Sequence, residues 1–257
     1  MIVIMSAVWE EISGVKNSIK ITRGLSIRGR KGYERRIWVG SFASQPVLLI
    51  LAGMGKEKAL DSAQYIRDHY PITALIFLGF AGALAPELCI GDLILSGKII
   101  NGSSIEFPEA IEADQDLLSL AIQAAQGGAF KFLIGNSLTV DKVITCSDEK
   151  RALSARHDAL VVEMESYWVG KFATDSGIRF LAIRSISDLA SENLLPFDHF
   201  YNLKGSQRWK AVWRYFRTKP EDLGVIPKLY LNSRKARNSL TSFFQAFIPK
   251  IGNFAVQ

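Results

Sequence analysis

Cysteine is scarce in this chain: Cys89 and Cys146 are the two among 257 residues. Their separation fits neither a metal-ligand pair nor a disulfide framework, which excludes a cysteine-built zinc site and a stapled secreted scaffold; a reducing cytosolic setting and core positions are the expectation for both thiols. Long apolar runs are missing too. None approaches the roughly 20 residues that span a bilayer, and MIVIM is too short for the apolar region of a secretory leader before Trp9, Glu10 and Glu11 follow. The glycine turn AGMGKEKA lacks the Gly-Lys-Ser/Thr ending of a phosphate-cradling Walker loop. What remains is a chain of 48% apolar composition, long enough to bury one substantial α/β core.

The net charge of +6 is unevenly spread. Residues 1–200 hold 20 Lys/Arg against 23 Asp/Glu, net −3, while residues 201–257 hold 11 Lys/Arg against Glu221 and Asp222, net +9. Basicity therefore belongs to the tail. Such asymmetry suggests an anionic partner surface, although many basic helices are simply solvated.

The stretch from Ala159 to Ala190 organises the rest. ALVV and IRFLAI have the length and β-branched content of buried strands, and the segment between them closes at Gly177 like a capped helix. Read as a βαβ unit, it delivers Glu163 and Glu165 from the first strand and Asp188 from the second to the strand ends where ligands of open α/β sheets sit. A lone acidic residue past a strand is ordinarily a cap or a solvated turn. Glu163 is different, because a carboxylate directly after ALVV costs several kcal/mol unless it is paired, and Arg184 in LAIRS offers a structural partner.

VVEMES followed by RSISDLA resembles the paired signature of the nucleoside phosphorylase superfamily, in particular its 5'-methylthioadenosine/S-adenosylhomocysteine nucleosidase branch. The resemblance implies a three-layer α/β/α fold with a central mixed sheet. It also implies that Met164 and Glu165 hold the ribose, with Glu165 ionised, and that Asp188 protonates the purine at N7. Glu163 lies beside them as a further substrate-side residue, assigned mainly to structure. MIVIMSAVWEE similarly resembles the family's first strand and acidic turn, placing Glu11 where a glutamate activates the attacking water; an acidic first turn that only favours the helix dipole is the alternative. A phosphate-binding glycine is absent from MSAV, which favours water as nucleophile. GFAGAL with GDLILS resembles the family's GSAGGL and GDIVVS pair, which implies that the amides of Phe80, Ala81 and Gly82 lie beside sugar or base, Phe80 standing in place of a serine. Within LTVDKVITCSDEKRAL, Val143 and Ile144 match positions that sandwich the base, and a plain core role is equally open. No metal or other cofactor is implied.

The remaining segments are connective. MIVIM is a strand, PVLLIL another, with Gly53 and Gly55 as permissive turn positions; Glu57 to His69 and Ala113 to Gln126 are helices, and residues 16–36, rich in Lys, Arg and Gly, read as a solvated loop or hairpin. Residues 1–200 thus form the catalytic domain. Residues 201–257 form a basic amphipathic helical extension packed on it or appended to it. Pro220 opens a helix whose Leu229, Ala236, Leu240, Phe243, Phe244, Phe247 and Ile251 recur at helical spacing. This tail, with LASENLLP before it, resembles the hopanoid-associated branch, which cleaves adenine from adenosylhopane.

The expectation is therefore a cytoplasmic nucleosidase releasing adenine from a 5'-substituted adenosine, with adenosylhopane in hopanoid biosynthesis as the first candidate. Alternatives are a methylthioadenosine/adenosylhomocysteine nucleosidase, a purine nucleoside phosphorylase, and a nucleoside- or membrane-surface-binding protein without turnover. The partners expected are an adenosyl-nucleoside, lipid-linked in the first reading, a second copy of the chain, and the inner face of a membrane contacted through residues 220–251. No nucleic acid is expected.

Overall fold

The computed structural model describes residues 1–103, 109–128, 130–195, 214–215 and 217–254. The part of the extension from 201 to 213 lies outside the described residues. In chain order the elements are β1 (Ile2–Ser6), α1 (Trp9–Ser18), β2 (Lys20–Arg28), β3 (Glu34–Phe42), β4 (Gln45–Leu51), α2 (Lys56–His69), β5 (Ala74–Ala83), β6 (Leu93–Asn101) and β7 (Ala110–Glu112). There follow α3 (Gln115–Gly127), β8 (Phe132–Thr139), α4 (Ser147–Arg156), β9 (Val161–Glu163), α5 (Ser166–Asp175), β10 (Arg179–Asp188) and α6 (Ile226–Phe254).

Strand periodicity sorts the core into two layers. In β1, Ile2 and Ile4 point to one face of the sheet and Val3 and Met5 to the other, as a two-residue repeat requires. The first face packs under α1, α3 and α6, the second under α2 and α5. The central stretches 2–5 of β1, 47–51 of β4, 74–78 of β5 and 180–183 of β10 are unbroken apolar runs because both faces are covered. This is the mixed-sheet, three-layer architecture expected from the sequence.

All ten strands join one sheet in the order β10-β6-β8-β9-β5-β1-β4-β3-β2, with β7 on β6. An extra pairing between β10 and β5 closes β5, β10, β6, β8 and β9 into a ring. Here the structure corrects the βαβ reading of residues 159–190. β10 runs parallel to β5, whereas β9 runs antiparallel to it, so the helix between them does not join parallel neighbours. The carboxylates nevertheless meet, because β9 has only three residues and its pairing with β5 falls on Gly82 and Ala83 at the downstream end of that strand. Asp188 pairs with that same Gly82 from the other side.

Residues 20–42 form the antiparallel hairpin β2–β3 rather than a solvated connection. Leu25 and Ile27 lean on the core while Lys20, Arg23, Ser26 and Arg28 face out, and a register shift between Ile21 and Arg23 hides the two-residue period. Both cysteines are exposed, not buried: Cys89 lies in the turn before β6 and Cys146 caps α4.

Pro220 opens a short 3-10 turn, Pro220–Val225, that leads into α6. From Ala236 onward the apolar stripe of α6 is spent inside the molecule: Leu240, Phe243, Phe244, Phe247, Ile248 and Ile251 are buried against α1, α3 and the sheet. Each such side chain contributes about 1.5–3 kcal/mol. The apolar stripe from Ala236 to Ile251 is therefore not free to enter a membrane. The exposed apolar side chains are at the other end, Leu223, Ile226, Tyr230 and Leu231.

Candidate active site

The downstream ends of β5, β9 and β10, the turn from β1 into α1 and the loop before α4 enclose a cavity of about 190 Å³ lined by Glu11, Phe80, Ala81, Gly82, Val143, Ile144, Glu163, Met164, Glu165 and Asp188, together with Val8, Met54, Lys142 and Ser187. Every site residue expected from the sequence is on its wall. A larger hollow of about 630 Å³ lies between the β2–β3 hairpin and α2, but Asp61 there already pairs Arg30 and Arg35.

Glu11 is the third residue of α1, and from there its carboxylate reaches back over the β1–α1 turn. One oxygen accepts the N–H groups of Ala7 and Val8 at 3.0 and 3.1 Å, the other that of Phe80 at 2.8 Å. The Phe80 amide is thus engaged by Glu11 and is not a donor towards sugar or base. Burial raises the Glu11 carboxyl above its ordinary range, against the nearby Arg184 charge and the three N–H donors, which lower it. A fixed carboxyl inclined to take a proton suits a base that deprotonates water.

Glu163 is saturated. It accepts from the Thr139 hydroxyl, from Arg184, and from the N–H groups of Glu165 and Ser166 at 2.9 and 2.8 Å, so it caps α5 and neutralises a fully buried guanidinium. The partner expected from LAIRS is in place.

Glu165 turns one oxygen to the Gly55 N–H at 2.7 Å. Gly55 has φ +95°, a conformation that favours glycine, and this aims its amide into the site. Burial first, then the Glu163 charge, pushes the Glu165 carboxyl up to about 8. The direction is towards the protonated form, against the ionised group implied by the resemblance, and Glu163, two residues earlier in the same motif, supplies the opposing charge.

Asp188 closes β10 where the register slips between Ile186 and Asp188. That bulge re-aims the last residue of the strand into the cavity. Oδ1 accepts from the Ser187 hydroxyl at 2.8 Å, and Oδ2 is ion-paired with Lys150 at 2.5 Å. Oδ2 also lies 2.8 Å from where a Cβ on Gly82 would stand, so only glycine permits this approach. Sequence reasoning missed Lys150. In SDEKRAL it reads as one of a charged, solvated helix face, and nothing in the pattern marks it as the residue turned inward.

Residues 1–215 match the phosphorylase superfamily as a family. The chain belongs to that superfamily. Among its relatives is the 5'-methylthioadenosine/S-adenosylhomocysteine nucleosidase of Listeria monocytogenes, 29% identical over 233 residues that cover 84% of this chain and 98% of the relative. The nucleosidase of the same description from Neisseria meningitidis, solved with methylthio-immucillin-A, superposes with a TM-score of 0.72 at 17% identity over 95% of this chain and 98% of the other. A mutant of the futalosine hydrolase of Helicobacter pylori superposes at 0.73 with 16% identity, covering 96% and 98%. Membership of the superfamily and this relationship support an N-glycosidic bond hydrolase. Glu11, Glu163, Glu165 and Asp188 are each at most 6% exposed. Among the described residues no helix is long and apolar enough to cross a membrane.

Proposed function

We propose that the protein hydrolyses the N-glycosidic bond of a 5'-substituted adenosine, releasing adenine, and that its substrate is adenosylhopane, which it converts to ribosylhopane. The observation that carries the reading is the convergence of three buried carboxylates, Glu11, Glu165 and Asp188, on one largely apolar cavity. Breaking the C1'–N9 bond requires a proton for the leaving purine and support for oxocarbenium character on the ribose, as in glycoside hydrolysis generally. Asp188 protonates N7. Glu165, beside Met164, binds the ribose hydroxyls and, as positive charge develops on the sugar, its anionic form is favoured. Glu11 takes a proton from the attacking water. Val143 and Ile144 bracket the base.

A lipid on the 5' carbon is supported by the apolar side chains of Val8, Met54 and Phe80 on the cavity wall and by the exposed Leu223, Ile226, Tyr230 and Leu231. Those residues neighbour Lys228, whose ammonium bridges to Glu192 in the loop just past Asp188. The start of α6, with Arg234 and Lys235 exposed beyond it, would rest on the anionic inner face of the membrane, each near-surface cation adding about 1 kcal/mol. Homo-oligomerisation belongs to the same proposal, and light scattering reads it directly.

A second reading, a nucleosidase for soluble methylthioadenosine or adenosylhomocysteine, is favoured by the near full-length match to the Listeria enzyme. Adenine release from adenosylhopane, methylthioadenosine, adenosylhomocysteine and inosine, each with and without phosphate, separates them. Selective, phosphate-independent turnover of adenosylhopane is the expected result. Preference for the soluble nucleosides establishes the second reading, and dependence on phosphate makes the enzyme a phosphorylase.

A further inference from the structure

The Lys150 side chain has no exposed surface, and an ammonium buried so far needs an acceptor for each of its three protons. Three stand around it: Asp188 Oδ2 at 2.5 Å, the Leu189 carbonyl at 2.7 Å and the Glu192 carbonyl at 3.4 Å. The next residue on α4, Arg151, faces solvent and pairs with Asp148. The arrangement sets a problem for the chemistry proposed above. N7 must receive a proton from Asp188, yet a carboxylate that accepts from an ammonium has none of its own to give. The ammonium has.

Resting on the assignment of Asp188 as the group that protonates the base, we propose that Lys150 is a positioning residue that holds the proton Asp188 delivers. As the C1'–N9 bond breaks, its electron pair stays with the purine. One proton passes from Lys150 Nζ to the Asp188 carboxylate and from there to N7, so Asp188 ends the step as it began, a carboxylate. The resulting neutral amine keeps two N–H groups, and two carbonyls, those of Leu189 and Glu192, remain to accept them. Water adds to C1' and gives its proton to Glu11. Once adenine has left, Glu11 returns that proton to solvent and Lys150 regains one, so a single water is consumed.

The test compares wild type with Lys150→Arg, Lys150→Met and Asp188→Asn, measuring kcat and KM for adenine release across about pH 5 to 9, with thermal melts of each. Arginine keeps the cation and its hydrogen bonds but does not surrender a proton. The expected outcome for Lys150→Arg is a kcat lowered about 100-fold or more at neutral pH with KM nearly unchanged, and activity regained towards acid as solvent loads Asp188 directly. Lys150→Met should show the same acid shift. A wild-type pH profile in Lys150→Arg, or a loss in both variants that is uniform with pH and mirrored in KM, overturns the proposal in favour of a purely structural lysine. Asp188→Asn separates the two layers of argument: full activity there removes the assignment of Asp188, whereas an inactive Asp188→Asn beside an unperturbed Lys150→Arg removes only the role of Lys150. Should both lysine variants melt out, Lys150→Gln, which keeps N–H donors but has no ionisable proton, takes their place: an acid-shifted pH profile supports the relay and a wild-type profile refutes it.

Discussion

Glu165→Gln should make the protein more stable at alkaline pH while abolishing turnover. The wild-type carboxyl is displaced from 4.5 to about 8 by burial and by the charge of Glu163. A carboxyl raised on folding favours the folded state fully below its unfolded value, and that contribution is lost as pH climbs through the folded one. At about 1.4 kcal/mol per tenfold, the window from 4.5 to about 8 corresponds to an upper figure of about 5 kcal/mol; relaxation around the charge and the neighbouring Arg184 bring the expected loss nearer 2–3 kcal/mol. Glutamine keeps the acceptor for the Gly55 N–H and never ionises. Urea unfolding at a series of pH values from about 5 to 9 should therefore show wild-type stability falling by about 2–3 kcal/mol more than that of Glu165→Gln, the divergence building steadily from about pH 5 and levelling off above about pH 8. Parallel curves for the two proteins would refute the reasoning, because they would mean that the carboxyl is solvated or already ionised in the fold.

Glu11→Gln should lose about 10²- to 10⁴-fold in kcat, read by adenine release. It should also melt earlier by about 1–3 kcal/mol, since an amide nitrogen cannot accept one set of the N–H groups that Glu11 now satisfies. Gly82→Ala would press a methyl to 2.8 Å from Asp188 Oδ2; kcat should fall well over tenfold while circular dichroism stays native, and an unchanged rate would show that Asp188 is not held where the fold places it. Phe244→Ala, remote from the cavity and fully buried, should cost about 3–5 kcal/mol by denaturant unfolding and leave KM unchanged. Paired Tyr230→Ser and Leu231→Ser should reduce co-sedimentation with anionic vesicles at least severalfold without altering the melt, since both side chains are exposed.

Much of this architecture was legible. The apolar runs at β1, β4, β5 and the first half of β10 announce themselves because a strand covered on both faces is apolar at successive positions. The cavity residues were legible through EMES and ISDLA, motifs whose order survives folding. The direction of β9 was not, because three residues carry too little pattern to say which neighbour they join or which way they run. Lys150 and the exposed cysteines failed for a related reason: residue type sets an average burial, whereas a single position on α4 or in a turn is decided by what the rest of the chain brings against it. Glu165 shows the same limit in its chemistry. Its displaced carboxyl depends on burial and on Glu163 two residues before it, and the proximity matters because β9 ends there and both residues line one cavity.

The packing of α6 has a bearing on how the protein comes into being. Gln245 bonds Ser18 across 227 positions of sequence, and Phe243, Phe244 and Phe247 cover a sheet face built from Ile2, Ile4, Val47, Leu49 and Ile76. On the ribosome those strands emerge long before their cover does. Until α6 is made, a broad oily surface waits for a partner roughly two hundred residues away, so the nascent chain combines slow long-range closure with prolonged stickiness. Chaperone demand during synthesis, rather than the strength of the finished fold, is where changes in the Ala236–Ile251 stripe should be felt first.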